Sequence, residues 1–242
     1  MRRFGLIGYP LSHSFSQKYF NEKFIKEGIR DCLYENFPIP EIGELKRIIS
    51  ENPGLEGLNV TIPYKLQVIS LLDDLSHLPI SACNCIKISG GKLVGYNTDI
   101  VGFEKSLTAD LQPHHRQALV LGKGGASEAV LWVLKKLSIA FTQVSRHASK
   151  EGDLNYEDLN RDIINQHQLI INCTPLGMFP KVNECPAIPY EFLGKQHYLF
   201  DLVYNPPITL FLRKGAQRGA AIRNGSDMLV IQAEESWKIW NS

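Results

Sequence analysis

No run of like charge interrupts this chain of 242 residues, and almost no net charge remains: 26 lysines and arginines stand against 25 aspartates and glutamates, a formal +1. That balance excludes the basic footprint of a nucleic-acid binder and the polybasic face of a membrane-surface protein, and leaves a small molecule as the expected partner. Long apolar runs are missing as well. No stretch approaches the roughly 20 residues that a membrane-spanning helix needs, and the opening MRRFGLIGYP is too short in apolar residues for a secretion signal, so a cytoplasmic protein is expected. Cysteine is scarce: five residues without a C-x-x-C spacing are expected to be reduced thiols. Cys83 and Cys85 form a C-x-C pair with no second pair to complete a metal site, and no metal is expected. Repeats and low-complexity segments are absent too, whereas an apolar content of 44% suffices for one large domain or two modest ones.

What is present alternates between strand and helix patterns. Residues 4–8 read as a buried strand, 9–14 as a loop, and Phe15, Tyr19 and Phe24 mark the buried face of a following helix. A second strand covers 33–37, and Leu45, Ile48 and Ile49 recur at helical spacing after Pro40. A third strand covers 58–62 and ends at Pro63, and Val68, Leu71 and Leu72 supply the next helix with its apolar face, a βαβα pattern. Next, 86–88 and 93–94 form a hairpin about Ser89-Gly90-Gly91-Lys92, and Thr98 or Asp99 caps a helix reaching about Leu107. Beyond a polar break at 112–115 the alternation restarts, with strands at 118–121, 140–145, 168–172, 197–203 and 220–223 and a helix at 125–137. This is the pattern of a doubly wound nucleotide-binding half. Residues 228–240 close the chain as a helix.

The turn Gly122-Lys123-Gly124-Gly125-Ala126-Ser127 joins an apolar strand to a helix. Gly122 permits the tight turn, Gly124 lets backbone N–H groups approach a pyrophosphate, and small residues at Ala126 and Ser127 admit close helix packing in place of a third fingerprint glycine. An ordinary glycine-rich turn has the same look. After the next strand, Ser145, Arg146 and Lys150 stand with no acid before Glu151; a 2′-phosphate wants a cation there, whereas the ribose of NAD wants a carboxylate, so NADP is the favoured cofactor. Two polar clusters precede the turn, NVTIPYK at 59–65 and GYNTD at 95–99. Taken singly, Lys65 reads as a solvated lysine at a helix start, Asp99 as a helix cap, Ser14 and Ser16 as N-caps, and His13 as a loop histidine. Beside a nicotinamide, a lysine and an aspartate can move a proton while the cofactor moves a hydride, which is dehydrogenase chemistry.

Residues 8–16, 59–65, 95–99, 122–127, 172–178 and 228–233 occur in the same order as the corresponding segments of shikimate dehydrogenases, and the chain resembles that family over nearly its whole length. The resemblance implies two α/β domains with a cleft between them: a substrate-binding catalytic domain at 1–101, a Rossmann-like NADP-binding domain at 102–225, and a C-terminal helix at 226–242 that returns to the first. It implies reversible NADP-dependent reduction of 3-dehydroshikimate to shikimate in aromatic amino-acid biosynthesis. Lys65 and Asp99 match the catalytic pair, and Ser14 and Ser16 match serines that bind the substrate carboxylate. Thr61, Asn84, Asp99 and Gln232 match contacts to the ring hydroxyls, and Tyr204 a tyrosine that closes over the substrate. Gly122, Gly124, Gly125, Ala126, Ser145, Arg146, Lys150 and Thr174 fall on the cofactor side.

The pattern also departs from the family. Gln17 replaces a proline, Ser81-Ala82-Cys83-Asn84-Cys85 replaces Gly-Ala-Val-Asn-Thr, Lys123 brings a positive charge to the glycine turn, and Ser226-Asp227 replaces Leu-Gly. Two other functions share the fold: a quinate/shikimate dehydrogenase with relaxed substrate or NAD use, and a non-catalytic ligand-sensing homologue. Arg146 and the absence of an acid after the strand at 140–145 speak against NAD use but leave the relaxed substrate pocket open, and the Lys65 and Asp99 pair speaks against the second. A monomer or a homodimer is expected.

Overall fold

Phe4 and Leu6 face one side of the first strand and Ile7 the other, and all are buried, so this strand lies inside a sheet covered on both faces. In the computed structural model, which describes residues 1–11, 14–146 and 152–242, that sheet belongs to a unit made of residues 1–99 and 232–242. Its strands are β1 (Arg2–Gly8), β2 (Cys32–Pro38), β3 (Leu55–Val60), β4 (Cys85–Ser89) and β5 (Lys92–Tyr96), in the order β2-β1-β3-β4-β5. The first three are parallel; β4 and β5 run as antiparallel additions, closed by the anticipated hairpin with Ser89 opposite Lys92 and both glycines between them at positive φ. Helix α1 (Phe15–Lys26) covers one face, and α2 (Leu45–Glu51) helps to cover the other.

The last part of the chain completes this unit. Trp240 is 3% exposed, stacks on Phe4 at a centroid distance of 4.9 Å, and donates its indole N–H to the Ile86 carbonyl at 3.0 Å. A Cβ at Gly57 would lie 2.3 Å from the Trp240 Nε1, so the strand can pass under the ring only as glycine.

Residues 100–231 form the second unit. Six parallel strands, β6 (Gln117–Leu121), β7 (Ala140–Ser145), β8 (Leu154–Asn155), β9 (Leu169–Asn172), β10 (Tyr198–Asp201) and β11 (Ala221–Asn224), take the order β11-β10-β9-β6-β7-β8. Counted from β6 this is 3-2-1-4-5-6, the dinucleotide-binding order, with its reversal between β6 and β9. Residues 118–121 and 169–171 are fully buried, the continuous apolar runs of a parallel sheet covered on both faces. Its helices include α4 (Gly125–Lys136), α5 (Arg161–Gln166) and α6 (Leu210–Gln217). Two further helices carry the chain between the units: α3 (Asp99–Thr108) at 99/100 and α7 (Ser226–Trp240) at 231/232.

Several local expectations are corrected. Residues 67–71 wind as a 3₁₀ segment rather than an α-helix, with Val68 alone fully buried in it. Phe20 joins Phe24 as the buried aromatics of α1, and Tyr19 packs half-buried beside them, stacked on Phe15 and edge-on to Phe20. The third strand runs at 55–60 rather than 58–62, so Thr61 lies just past β3, and Asn59 within it is a buried side chain. Helices α5 and α6 and strand β8 went unanticipated; α6 has a readable start in Thr209, whose hydroxyl accepts from Leu212 N at 3.3 Å. Among the described residues, no helix is long and apolar enough to cross a membrane.

Replacing Trp240 by Ala is expected to lower the unfolding free energy by about 3–5 kcal/mol, the usual consequence of deleting a fully packed aromatic. Urea unfolding followed by circular dichroism measures this; a loss below about 1 kcal/mol would show that the end of α7 frays before the sheet opens.

Candidate active site

Lys65 is carried by a turn that is tied down on both sides. Tyr64, 2% exposed, donates its hydroxyl to the Ile39 carbonyl at 2.6 Å, Thr61 N donates to Ile7 O at 3.0 Å, and the Lys65 carbonyl accepts from Cys83 N at 2.8 Å. From this anchored backbone the ammonium reaches Asp99, donating to Oδ2 at 2.7 Å, with the lysine side chain 16% and the aspartate 7% exposed. Asp99 opens α3, where the helix dipole favours a negative charge. Its other oxygen, Oδ1, accepts from Asn84 Nδ2 at 2.9 Å, while Asn84 Oδ1 accepts from Thr98 N at 2.6 Å. The carboxylate is therefore held at both oxygens, by a cation and by a buried amide.

Behind this pair runs a buried polar chain. Asn84 Nδ2 also approaches Thr98 Oγ1 at 3.0 Å and Gln232 Oε1 at 3.4 Å, and Thr98 Oγ1 lies 3.3 Å from Gln232 Oε1 and 3.2 Å from Ser236 Oγ. Asn59 donates from Nδ2 to Ser236 Oγ at 2.9 Å and accepts at Oδ1 from the Tyr34 hydroxyl at 2.8 Å. Ser16, 8% exposed in the first turn of α1, lies beside that hydroxyl. Of the residues anticipated on the substrate side, Lys65, Asp99, Asn84, Gln232 and, through Tyr34 and Asn59, Ser16 thus fall on one connected network. Ser14 is the N-cap of α1, accepting from Gln17 N at 3.4 Å, and Thr61 sits against Gly8, where a Cβ would meet its methyl at 2.5 Å. Tyr204 belongs to the other unit, where burial raises its hydroxyl above its ordinary pKa. His13 lies outside the described residues. Tyr34 and Ser236 were missed; Ser236, four residues after Gln232, shares its helix face.

In the second unit the glycine turn has the geometry a pyrophosphate needs. Gly122 has φ +97°, and a Cβ there would meet the Thr174 methyl at 2.7 Å, whereas a Cβ at Gly124 would meet nothing within 4 Å, leaving that backbone open to close approach. Ser127 closes the turn, its hydroxyl accepting from Gly124 N and donating to Gly124 O, both at 2.8 Å. Gly125 and Ala126 begin α4, so their amides are among the donors that a helix leaves unpaired at its start. Ser145 ends β7 and Arg146 follows it, exposed; Lys150 lies outside the described residues. Thr174 is fixed by Asn172, whose Oδ1 accepts from Thr174 N at 3.0 Å and Oγ1 at 2.6 Å, and Asn172 in turn donates to the buried Asp201 at 2.9 Å. These residues fit a dinucleotide.

Two departures from the family pattern acquire physical reasons. Cys83 and Cys85 are fully buried, and burial pushes the Cys83 thiol up to about 11 and Cys85 higher still, so both are inert apolar packing; among the described residues no cluster could hold a metal ion. Asp227, in the first turn of α7, pairs with Arg223 at 2.5 Å, and Arg223 also binds Asp110 at 2.7 Å.

Residues 6–86 match the family model of the shikimate dehydrogenase substrate binding domain. A shikimate dehydrogenase (NADP(+)) of Methanococcus maripaludis strain C7 is 36% identical over 98% of this chain and 90% of its own length. The crystal structure of shikimate dehydrogenase from Aquifex aeolicus superposes with a TM-score of 0.86 at 32% identity, covering all of this chain and 92% of that one. Shikimate 5-dehydrogenase of Thermus thermophilus, solved in complex with NADP(H) and shikimate, has a TM-score of 0.85 at 29% identity over 99% of this chain and 93% of that one.

Asp201 yields a pH-dependent prediction. It is fully buried at the end of β10, and burial pushes its carboxyl up to about 6, against the opposing pull of hydrogen bonds from Thr209, Val203 N and Asn172. The folded state then holds this proton more tightly than the unfolded chain, whose aspartates titrate near 3.9, so this group's contribution to stability falls as pH rises from about 4 to about 6. An Asp201→Asn variant lacks the titration, and its stability relative to the unaltered protein is expected to rise by on the order of 2–3 kcal/mol between pH 4 and pH 7. Chemical unfolding across that range measures the difference; a flat difference would refute it.

Proposed function

The chain belongs to the shikimate dehydrogenase family, and from that premise we propose that it catalyses the reversible NADP-dependent reduction of 3-dehydroshikimate to shikimate in the cytoplasm, as a monomer or a homodimer. The observation that carries this is the Lys65–Asp99 pair, 2.7 Å apart and mostly buried, with the remaining carboxylate oxygen held by Asn84. In this assignment the substrate side is residues 1–101 with the returning helix at 226–242, and the cofactor side is 102–225.

Lys65 is the proton donor in the reductive direction. An ammonium has three N–H groups, and one is used on Asp99, which aims the rest of the head group. As charge develops on the ketone oxygen, the ammonium stabilises it and then delivers a proton from Nζ, the two services a carbonyl reduction needs. Asp99 orients the ammonium and compensates its charge in both directions of the reaction. Ser14 and Ser16 bind the substrate carboxylate through their hydroxyls, and Thr61, Asn84 and Gln232 hold the ring hydroxyls, with Tyr204 closing over the substrate. Gln232 and Asn84 suit this work because their amides offer both donors and acceptors.

NADP, when bound, supplies the hydride and takes it back. The backbone of Gly122, Gly124, Gly125 and Ala126 would hold its phosphates, Ser145, Arg146 and Lys150 its 2′-phosphate, and Thr174 the wall beside Gly122. A guanidinium presents paired donors to a phosphate in a way an ammonium does not.

Lys65→Ala is expected to lower kcat by about 10²–10⁴-fold with a smaller change in KM, because its interactions strengthen chiefly in the transition state. Steady-state rates measure this, and near-normal kcat would remove Lys65 from the mechanism. Initial rates with shikimate and quinate, each with NADP and NAD, test the rest: shikimate with NADP should lead. Arg146→Ala should lower the use of NADP by about one to two decades while leaving NAD use nearly unchanged. Equal efficiency with both nucleotides in the unaltered protein would sink the cofactor assignment.

A further inference from the structure

Lys123 and Asp153 stand on opposite sides of a strand and meet across its end. Lys123 sits in the glycine turn after β6, Asp153 immediately before β8, and β7 lies between those strands in the sheet. Their side chains nevertheless join, Lys123 Nζ to Asp153 Oδ2 at 2.7 Å, with Asp153 only 9% and Lys123 29% exposed. The pair therefore straddles the carboxyl side of β7, the strand that ends in Ser145 and is followed by Arg146. In a sheet of this strand order, the adenosine ribose of a dinucleotide lies at that edge, and a carboxylate there is the device that selects NAD over NADP. Counting residues from the glycine turn hides Asp153, because the usual acid comes about twenty residues on and Asp153 comes later; the return of the chain to β8 brings it back to the turn.

We infer that Lys123 is a specificity-determining residue: by pairing with Asp153 it neutralises an acid that would otherwise repel a 2′-phosphate. The inference rests on the NADP use proposed above. An unpaired carboxylate within several ångströms of a phosphate dianion, in a partly exposed site, changes affinity by on the order of tenfold. The same carboxylate is indifferent to, or accepts hydrogen bonds from, an unphosphorylated ribose. Lys123 thus acts on cofactor choice through Asp153, and Arg146 acts by direct contact. The positive charge that departs from the family pattern at position 123 is in this way matched to a negative charge of this chain.

The test is direct binding, by isothermal titration calorimetry, of adenosine 2′,5′-bisphosphate and of adenosine 5′-phosphate to the unaltered protein, Lys123→Met, Asp153→Asn and the double variant. Methionine keeps most of the apolar stem and removes the charge, and thermal unfolding reports whether each variant is folded. Lys123→Met is expected to lose on the order of tenfold for the bisphosphate and less than about threefold for the monophosphate. Asp153→Asn should bind the bisphosphate at least as tightly as the unaltered protein, and the double variant should return to within about threefold of it. An equal loss for both ligands in Lys123→Met, a double variant no better than Lys123→Met, or weaker bisphosphate binding by Asp153→Asn would overturn the inference and make the pair a brace for the turn. Those results leave the cofactor assignment standing as long as the unaltered protein prefers the bisphosphate. If the unaltered protein shows no such preference, both fall together.

Discussion

The constraint on which the first unit depends is the double occupation of the Asp99 carboxylate. A carboxylate taken out of water is tolerable when each oxygen finds a donor and the charge finds a cation; here Asn84 supplies the first and Lys65 both. Removing either donor would leave a mostly buried charge incompletely paired, which costs far more than the pair contributes when intact. The geometry around it follows from this need. The turn at 61–65 is anchored by the buried Tyr64 and the Lys65 carbonyl is fixed from Cys83, which sets where the lysine side chain starts, and the Asn84 amide is held by the backbone N–H of Thr98.

The same need explains why the chain's last helix belongs with its first strands. Gln232 and Ser236, one turn apart on α7, bring polar atoms to Thr98, Asn84 and Asn59, and Trp240, two residues short of the end, packs on Phe4 and caps the Ile86 carbonyl. Apolar burial at one end of the helical face and hydrogen bonding at the other set its register. A network satisfied this fully is rigid, and rigidity suits the role proposed for Lys65, whose ammonium would have to meet a ketone oxygen in one geometry.

How much of this was legible in the sequence depends on whether the signal was local. The five longer strands of the second unit and the glycine turn were readable to within two residues, because continuous apolar runs and glycine at a strand–helix junction are local consequences of a parallel sheet. The hairpin at 89–92 was readable for the same reason. Short elements were not: α5 has six residues and β8 two, too few for a period to show. The segment at 67–71 has helical spacing but settles as 3₁₀, with Val68 fully buried and Ile69 and Leu71 packed half-buried against the same core. Lys65 and Asp99 were nameable as a pair by resemblance alone, because their contact joins residues 34 apart and leaves no local signal; Tyr34 and Ser236 left no mark, being one tyrosine in a strand and one serine in a helix.

Asp201 and Asp99 are both buried aspartates, one at the end of β10 and one at the start of α3, and they differ in what balances them. Asp201 receives donors from Thr209, Asn172 and Val203 N and, among the described residues, no cation, so burial dominates and the carboxyl is pushed up to about 6. Its neighbours bind it at fixed angles and thereby fix one another: Asn172 in turn sets Thr174 against Gly122, and Val203 leads to Tyr204. Such an acid organises loops, and among the described residues it is bridged only to amides and a hydroxyl. Asp99 is bridged to an ammonium, Lys65 Nζ at 2.7 Å, so its charge is matched by a cation as well as by the buried Asn84 amide. In the function proposed above, that cation, rather than the burial, is what separates the participant from the brace.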